Sequence, residues 1–302
     1  MRRTVLALTV LVLVMGILGA AQGRRGRGQR PAPDPRTAGG GQCANNEYNC
    51  IDTPNPLPEA DTVWIEEMTW MDVRDAMAAG KKTVIISTGG IEPNGPWLAL
   101  GKHNYVLRAN CDAIARTLGD ALCAPIIPLV PEGNHEPASG HMATVGTISM
   151  RQETFEAMLT DVATSFKAHG FENIIFIGDS GGNQSGQAAV AESLNAAWNA
   201  SPVVAHIADY YDYGSVNRYL VEQGVLPEER PADGLHDDPV ISMNMMMTDP
   251  ESVRHSARVE AGKATINGVS LADLDRALEI GKMIVEFRAR VTADAIRKAT
   301  AR

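Results

Sequence analysis

Four short apolar runs rich in Ile and Val divide the chain, and segments of helical periodicity lie between them. The runs span residues 83–86, 124–130, 173–177 and 203–207. In the intervening segments apolar residues recur every three or four positions, as in amphipathic helices. Strands that alternate with helices favour a parallel sheet with helices on both faces. The chain is therefore predicted to form an α/β fold, a three-layer sandwich around a mostly parallel central sheet.

Functional residues of such folds gather in the loops beyond the carboxyl ends of the strands. The segments to inspect are therefore 87–103, 131–147, 178–184 and 208–213. The chain as a whole is 44% hydrophobic and carries a net charge of −9. This composition supports a large buried core. An acidic chain of this kind is a poor candidate for a nucleic-acid-binding protein.

The N-terminal residues 1–21 have the order typical of a secretory signal. Arg2 and Arg3 precede an apolar run over residues 5–18, and small residues follow up to Ala21. We expect cleavage after Ala21 and an exported protein, periplasmic or secreted. The apolar run is short for a membrane span, although an uncleaved anchor is the alternative. No later stretch is apolar enough to span, so no membrane span is expected after signal cleavage.

Residues 22–60 are predicted to be a flexible tether, because their first part contains mainly Gly, Pro and Arg. A single α/β domain is predicted over residues 61–302. Cys43 and Cys50 enclose a short polar loop near the end of the tether, and in an oxidising compartment they are expected to form a disulfide. Cys111 and Cys123 lie in apolar segments and are expected to be buried free thiols.

The GDSGG sequence at residues 178–182 joins a strand run to a helical segment. In that context it fits a nucleophile elbow, in which Ser180 would attack the substrate. His236 or His255 would then complete a triad with an aspartate. The alternative is that the glycines only allow the backbone to turn sharply.

Four segments, taken together and in order, resemble the creatininase (creatinine amidohydrolase) family over about residues 65–290. They read ISTGGIEPNGPWLALGKHNY, SGHMATVGTISM, HGFENIIFIGDSGGNQ and DGLHDDPVISMNMM. The corresponding family motifs are G-x-x-E-x-H-G-P-x-L-P-L-G-T-D, E-H-x-x-F-P-G-T, N-G-H-G-G-N and H-A-G-E. The resemblance implies a creatininase-like fold. It also implies a pair of divalent metals that activate water against a cyclic amide or another amide bond.

The metal-ligand positions differ from the family pattern. Glu92 keeps the family Glu, whereas Asn94, His103 and Ser180 replace a His, an Asp and a His. His141 matches the His of the second motif. In the fourth motif His236 matches the His, and Asp238 lies near the place of the Glu.

A remodelled site remains chemically reasonable, because one imidazole and two carboxylates are a common catalytic ligand set. Glu92, His103 and Asp179 are predicted to hold a divalent metal, Zn or Mn, with one or two ions bound. His236 and Asp238 are predicted to transfer a proton to the leaving group. Four further residues are expected to orient the substrate, namely Asn94, Lys102, His141 and Asn183.

The predicted function is an exported metal-dependent hydrolase that acts on an amide, lactam or lactone bond of a small polar molecule. One alternative is a metal-independent serine hydrolase that uses Ser180. Another is a catalytically silent small-molecule-binding member of the family. By analogy with the family, the chain is expected to be a homo-oligomer, with a hexamer as the suggested assembly.

Overall fold

The computed structural model describes residues 43–199, 201–228 and 236–301. Of these, residues 43–54 belong to one compact unit and residues 55–301 to a second. The predicted signal and the Arg-rich part of the predicted tether lie outside the described residues. The division of the chain into signal, tether and domain therefore stays a prediction.

A four-stranded parallel sheet organises the larger unit. Its strands are β1 (Thr83–Thr88), β2 (Ala121–Cys123), β3 (Asn173–Gly178) and β4 (Val203–His206). Their spatial order is β2-β1-β3-β4, and all three pairs are parallel. Parallel neighbours need a long crossover connection, and here helices provide it. The predicted parallel sheet is confirmed.

Eight α-helices are present in the described residues. They are α1 (Trp70–Ala78), α2 (Lys102–Leu118), α3 (Gln152–Ala168), α4 (Gln184–Trp198), α5 (Tyr213–Glu222), α6 (Pro239–Met246), α7 (His255–Glu260) and α8 (Leu274–Thr300). A two-residue hairpin pair, β5 (Thr265–Ile266) and β6 (Val269–Ser270), precedes α8. None of these helices is both long enough and apolar enough to cross a membrane.

The two faces of the sheet bury different hydrophobic clusters. Successive side chains of a strand point to opposite faces. Val84 and Ile86 of β1 therefore pack with Phe155 of α3 in one cluster. Ile85 packs with Leu107 of α2 in the other cluster, to which α8 also contributes. Helices on both faces of the sheet form the predicted three-layer sandwich.

The apolar run at residues 124–130 is not the strand that the sequence predicted. The strand is β2, three residues earlier, and the run makes only isolated bridges through Ile127 and Val130. Pro125 and Pro128 interrupt the run. Because proline has no backbone N–H to donate, a central ladder cannot continue through it.

Both cysteine pairs are disulfide-bonded. The predicted Cys43–Cys50 bridge is confirmed. Cys111 and Cys123 form a second disulfide, so the prediction of two free thiols was wrong. The reason is the packing of α2 directly on β2, which brings the two Cα atoms to 6.2 Å from one another, within the range that a disulfide spans.

We expect the Cys111–Cys123 bridge to stabilise the α/β domain by about 2–4 kcal/mol, because it restricts the unfolded chain. The Cys111→Ala/Cys123→Ala variant should lose that much free energy of unfolding in urea. The Cys43→Ala/Cys50→Ala variant, which cuts a shorter loop outside the domain, serves as the comparison. Alkylation of four thiols in unreduced, secreted protein would contradict both bridges.

Candidate active site

The carboxyl edge of the sheet opens into a cavity of about 620 Å³. Asp179 follows directly after β3, and Glu92 lies four residues after β1. Lys102 and His103 form the first turn of α2. His141 and His236 arrive on two other loops, and all six side chains line the cavity. The cavity therefore lies where functional residues were expected, beyond the carboxyl ends of the parallel strands.

Glu92 is held in place by its own loop. Its backbone N–H donates to the Leu100 carbonyl at 3.2 Å. The side-chain amide of Asn94 donates to the carbonyls of Glu92 and Ala99 at 3.0 and 3.1 Å. Asn94 therefore braces the loop. It does not line the cavity, so this geometry gives no support to its predicted substrate contact.

Asn183 also has a structural role. Its side chain is fully buried, and its amide donates to the carbonyls of Thr88 and Gly89, each at 2.9 Å. These bonds tie the end of β1 to the turn after β3. Asn183 does not line the cavity, so its contacts support a role in aligning the two loops and give no support to its predicted substrate contact.

Buried positive groups surround the Glu92 carboxylate. The Lys102 ammonium lies 2.7 Å from Glu92 Oε1, and both side chains are 2% exposed. His103 Nε2 lies 3.1 Å from the same oxygen. Burial raises the pKa of Glu92, but His103 and Lys102 outweigh it and hold that pKa below its ordinary value. Glu92 is therefore ionised. Lys102, a predicted substrate contact, lines the cavity while paired with Glu92.

His103 connects Glu92 to Asp179. Its Nδ1 lies 2.9 Å from Asp179 Oδ2, opposite the contact that Nε2 makes with Glu92. Burial lowers the pKa of His103, but the bonds to Asp179 and Glu92 outweigh it and raise that pKa above its ordinary value. The three side chains form a row in which both nitrogens of the imidazole face carboxylates.

Asp179 is anchored by side chains from α8 and from the first residue of α5. Arg288 Nη2 donates to Asp179 Oδ1 at 3.0 Å, and the Tyr213 hydroxyl donates at 2.9 Å. Burial raises the pKa of Asp179, but the charge of Arg288 and the bond from His103 outweigh it and lower that pKa. Burial also raises the pKa of Tyr213 well above its ordinary value. Asp179 is thus a buried anion with several donors.

Glu132 brings a second buried carboxylate to Glu92. His141 Nδ1 lies 2.9 Å from Glu132 Oε2 and 2.9 Å from Glu92 Oε2. The loop that carries both residues closes tightly at Gly133, where a Cβ atom would lie 1.9 Å from the Ser139 carbonyl oxygen. Burial raises the pKa of Glu132 to about 7 against the hydrogen bond from His141, and the charge of Glu92 adds to the rise.

His236 is positioned by the two aspartates that follow it. Asp237 forms an ion pair with the buried guanidinium of Arg258. Asp238 caps α6, with Oδ1 accepting from the Val240 N–H at 2.8 Å. This places His236 Nε2 at 3.5 Å from Glu92 Oε1. Asp238, predicted as a catalytic partner of His236, lines the cavity but has a capping role as well.

Glu92, His141 and His236 form a cluster suited to a metal ion. Each offers one ligand atom, and these atoms lie within 4.8 Å of one another. His103 and Asp179 do not belong to this cluster, because His103 lies between two carboxylates and Asp179 is bound by Arg288. Of the predicted ligands Glu92, His103 and Asp179, the structure therefore brings only Glu92 into this candidate cluster, where His141 and His236 accompany it.

Ser180 lies at the strand-to-helix turn and lines the cavity. Its backbone is extended, with φ −112° and ψ 148°, and lacks the strained conformation of a nucleophile elbow. His255, one of its two predicted partners, contacts the Leu271 carbonyl through Nε2 at 2.8 Å. His236, the other, belongs to the metal cluster. The turn therefore offers little support for a serine triad.

A family model described as creatinine amidohydrolase matches residues 66–295 of the chain. The chain belongs to the creatininase family. It is thus a member of a metal-dependent family of amidohydrolases, and the resemblance seen in the four sequence segments is confirmed. No curated protein sequence matches the chain.

Solved creatininases share the fold. A structure described as creatinine amidohydrolase (creatininase) has a TM-score of 0.56 at 19% identity, over 80% of this chain and 100% of that one. A creatininase variant of the Zn–Zn type has a TM-score of 0.57 at 20% identity, with the same coverage. A structure named as Mn creatininase has a TM-score of 0.55 at 19% identity, over 80% of this chain and 100% of that one.

Two residues of the site were missed from the sequence. Glu132 lies in the inspected segment 131–147, two residues after the apolar run 124–130, but no family motif position nominated it as one nominated Glu92. Arg288 lies four residues after Ile284 and three before Val291, on the apolar stripe of α8. A charged residue on such a stripe indicates a buried partner.

Proposed function

We propose that this member of the creatininase family is an exported metal-dependent hydrolase that acts on an amide, lactam or lactone bond of a small polar molecule. The observation that carries the proposal is the cluster of Glu92, His141 and His236 in the cavity at the carboxyl edge of the sheet. The cavity is the size of those that hold small ligands, and its wall offers both polar and aromatic groups.

The donor set fits a divalent ion. Two imidazoles and one carboxylate are the ligands of many catalytic zinc sites, which leave a further position for water or substrate. Glu92 is ionised, as a ligand must be. A Zn or Mn ion bound there would polarise a carbonyl and lower the pKa of bound water.

The chain supplies the surroundings of that chemistry. The Lys102 ammonium keeps Glu92 anionic and would add a fixed positive charge to the wall of the cavity. The row from His103 through Asp179 to Arg288 holds the Glu92 side chain rigidly from behind. Asp238 lines the cavity next to His236 and is the proposed acceptor of a proton.

Metal analysis of the purified chain tests this function. We expect about one Zn or Mn per chain for a site with one three-residue ligand set. Chelation should remove the metal together with the hydrolysis of creatinine or of other cyclic amides, lactams and lactones, and Zn²⁺ or Mn²⁺ should restore both. Hydrolysis that survives complete removal of metal would contradict the proposal. Metal binding without turnover of any compound would favour the silent binding protein.

Export and self-association are part of the proposal. N-terminal sequencing of secreted protein should begin near Gln22. Light scattering should give a mass several times that of one chain, because related folds commonly form closed symmetric assemblies. Secreted protein that begins at Met1 would contradict signal cleavage. A purely monomeric species would contradict self-association.

Ser180→Ala separates this function from the serine hydrolase. Because Ser180 is neither strained nor part of the metal cluster, we expect the variant to keep its metal and most of its rate. In a serine hydrolase the same substitution lowers kcat by about a million-fold. Labelling by a fluorophosphonate gives an independent readout, and labelling of Ser180 with loss of all activity would favour the serine mechanism.

A further inference from the structure

Glu132 is a rigid, buried carboxylate outside the cluster of Glu92, His141 and His236. Its backbone N–H donates to Ser149 Oγ at 2.9 Å, and its carbonyl accepts from the His141 N–H at 2.9 Å. Its side chain is only 2% exposed, yet it lines the cavity. The main chain therefore fixes Glu132 and His141 relative to one another before any ligand arrives.

Glu92 and Glu132 compete for one nitrogen. Each places a carboxylate oxygen 2.9 Å from His141 Nδ1. An imidazole nitrogen carries at most one proton, so it can donate one strong hydrogen bond and not two. Two buried carboxylate oxygens that converge on a single donor are under-compensated. A divalent cation next to them would satisfy both.

The second carboxylate oxygen of Glu132, Oε1, also indicates a bound cation. Oε1 is buried and accepts no hydrogen bond from the residues that the structure describes. Oε1 fits only because residue 90 is a glycine: a Cβ atom on Gly90 would lie 2.3 Å from Oε1. The nearby Lys102 ammonium pairs with Glu92 Oε1 at 2.7 Å. A buried carboxylate oxygen without a donor is costly unless a cation or another ligand meets it.

We propose that Glu132 is a fourth protein ligand of the metal ion, together with Glu92, His141 and His236. This inference rests on the proposed function and adds a fourth ligand to its metal site. Two carboxylates balance the charge of a divalent ion. Five-coordinate Zn or octahedral Mn would keep a position for water beside two nitrogen and two oxygen donors from the protein. Glu132 lies outside the positions that the motifs nominated, on the loop that also carries His141.

The competing role for Glu132 is to orient His141 through the bond to Nδ1, as carboxylates commonly do for metal-bound histidines. Glu132→Gln separates the two roles. Its amide oxygen still accepts a hydrogen bond from His141, whereas the charge that a metal ligand needs is lost. Glu132→Ala removes both functions, and Glu153→Gln, on an exposed part of α3, is the matched control.

Calorimetric titration of the metal-free protein with Zn²⁺ measures the difference. If Glu132 is a ligand, Glu132→Gln and Glu132→Ala both weaken binding by more than the roughly 10–100-fold that loss of an orienting partner costs, and Glu153→Gln does not change it. Wild-type affinity in Glu132→Gln, with weakened binding in Glu132→Ala, overturns the proposal in favour of orientation.

A second test does not depend on the folding of a variant. Crystals of the unaltered chain are soaked in ZnCl₂, and anomalous diffraction locates the ion. The ion should lie about 2.0–2.2 Å from an oxygen of Glu132. An ion bound by Glu92, His141 and His236, with both Glu132 oxygens out of reach, overturns this inference and leaves the proposed function intact. A wild-type chain that takes up neither Zn nor Mn overturns both.

Discussion

Glu92→Gln is expected to remove the bound metal and to lower kcat/KM by at least about 1000-fold. Glu92 belongs to the cluster with His141 and His236, and it also receives the Lys102 and His103 contacts. Glutamine keeps the shape and one acceptor oxygen but loses the charge that binds a cation. The measurement is metal content per chain after gel filtration, together with turnover of whichever cyclic amide or lactone the wild type hydrolyses.

Glu92→Gln tests the charge of Glu92 more specifically than Glu92→Ala does. Both substitutions remove the negative charge next to the buried Lys102 ammonium, but Glu92→Ala also removes its hydrogen-bond acceptor. The larger loss of stability expected for Glu92→Ala would mix with its loss of metal. Glu192→Gln, on the exposed side of α4, controls for the substitution itself and should keep metal and rate. A Glu92→Gln protein with full metal content and full rate would end the metal interpretation.

The sequence was sufficient to place the site at one edge of the sheet. Glu92 and Asp179 both follow apolar strand runs, and parallel strands bring their carboxyl ends together. The strands that precede them, β1 and β3, are adjacent in the sheet and paired in register from Thr83–Asn173 to Thr88–Gly178. Periodicity alone therefore predicted that these two loops meet.

The proposed ligand set could not be predicted from the same information. Motif positions give the order of residues along a chain but not the direction of each side chain. His103 stands at a family carboxylate position, yet both of its nitrogens face carboxylates in this chain. His141 and His236 come from loops without regular periodicity. Their approach to Glu92 depends on anchors such as the Asp237–Arg258 pair, which only the tertiary structure reveals.

Arg288→Met is expected to destabilise the domain by about 3–5 kcal/mol, the usual cost of removing one partner of a buried ion pair. Arg288 donates to Asp179 Oδ1 at 3.0 Å and to the Tyr210 carbonyl at 2.9 Å. Its guanidinium also lies over the Tyr210 and Tyr213 rings, at 4.2 and 4.5 Å from their centroids. Methionine fills much of the volume, but it leaves the Asp179 charge buried with less compensation. Equilibrium unfolding in urea measures the loss.

Two further variants attribute that loss to the buried charge. Arg290→Met, on the exposed side of the same helix, should change the free energy of unfolding little, because exposed charges contribute little. In the double variant Asp179→Asn/Arg288→Met, asparagine still accepts hydrogen bonds from His103 and Tyr213 but carries no charge. The double variant should therefore be more stable than Arg288→Met alone. If it is less stable than Arg288→Met alone, Arg288 acts through its packing on the two tyrosines, and the charge of Asp179 needs no partner from α8.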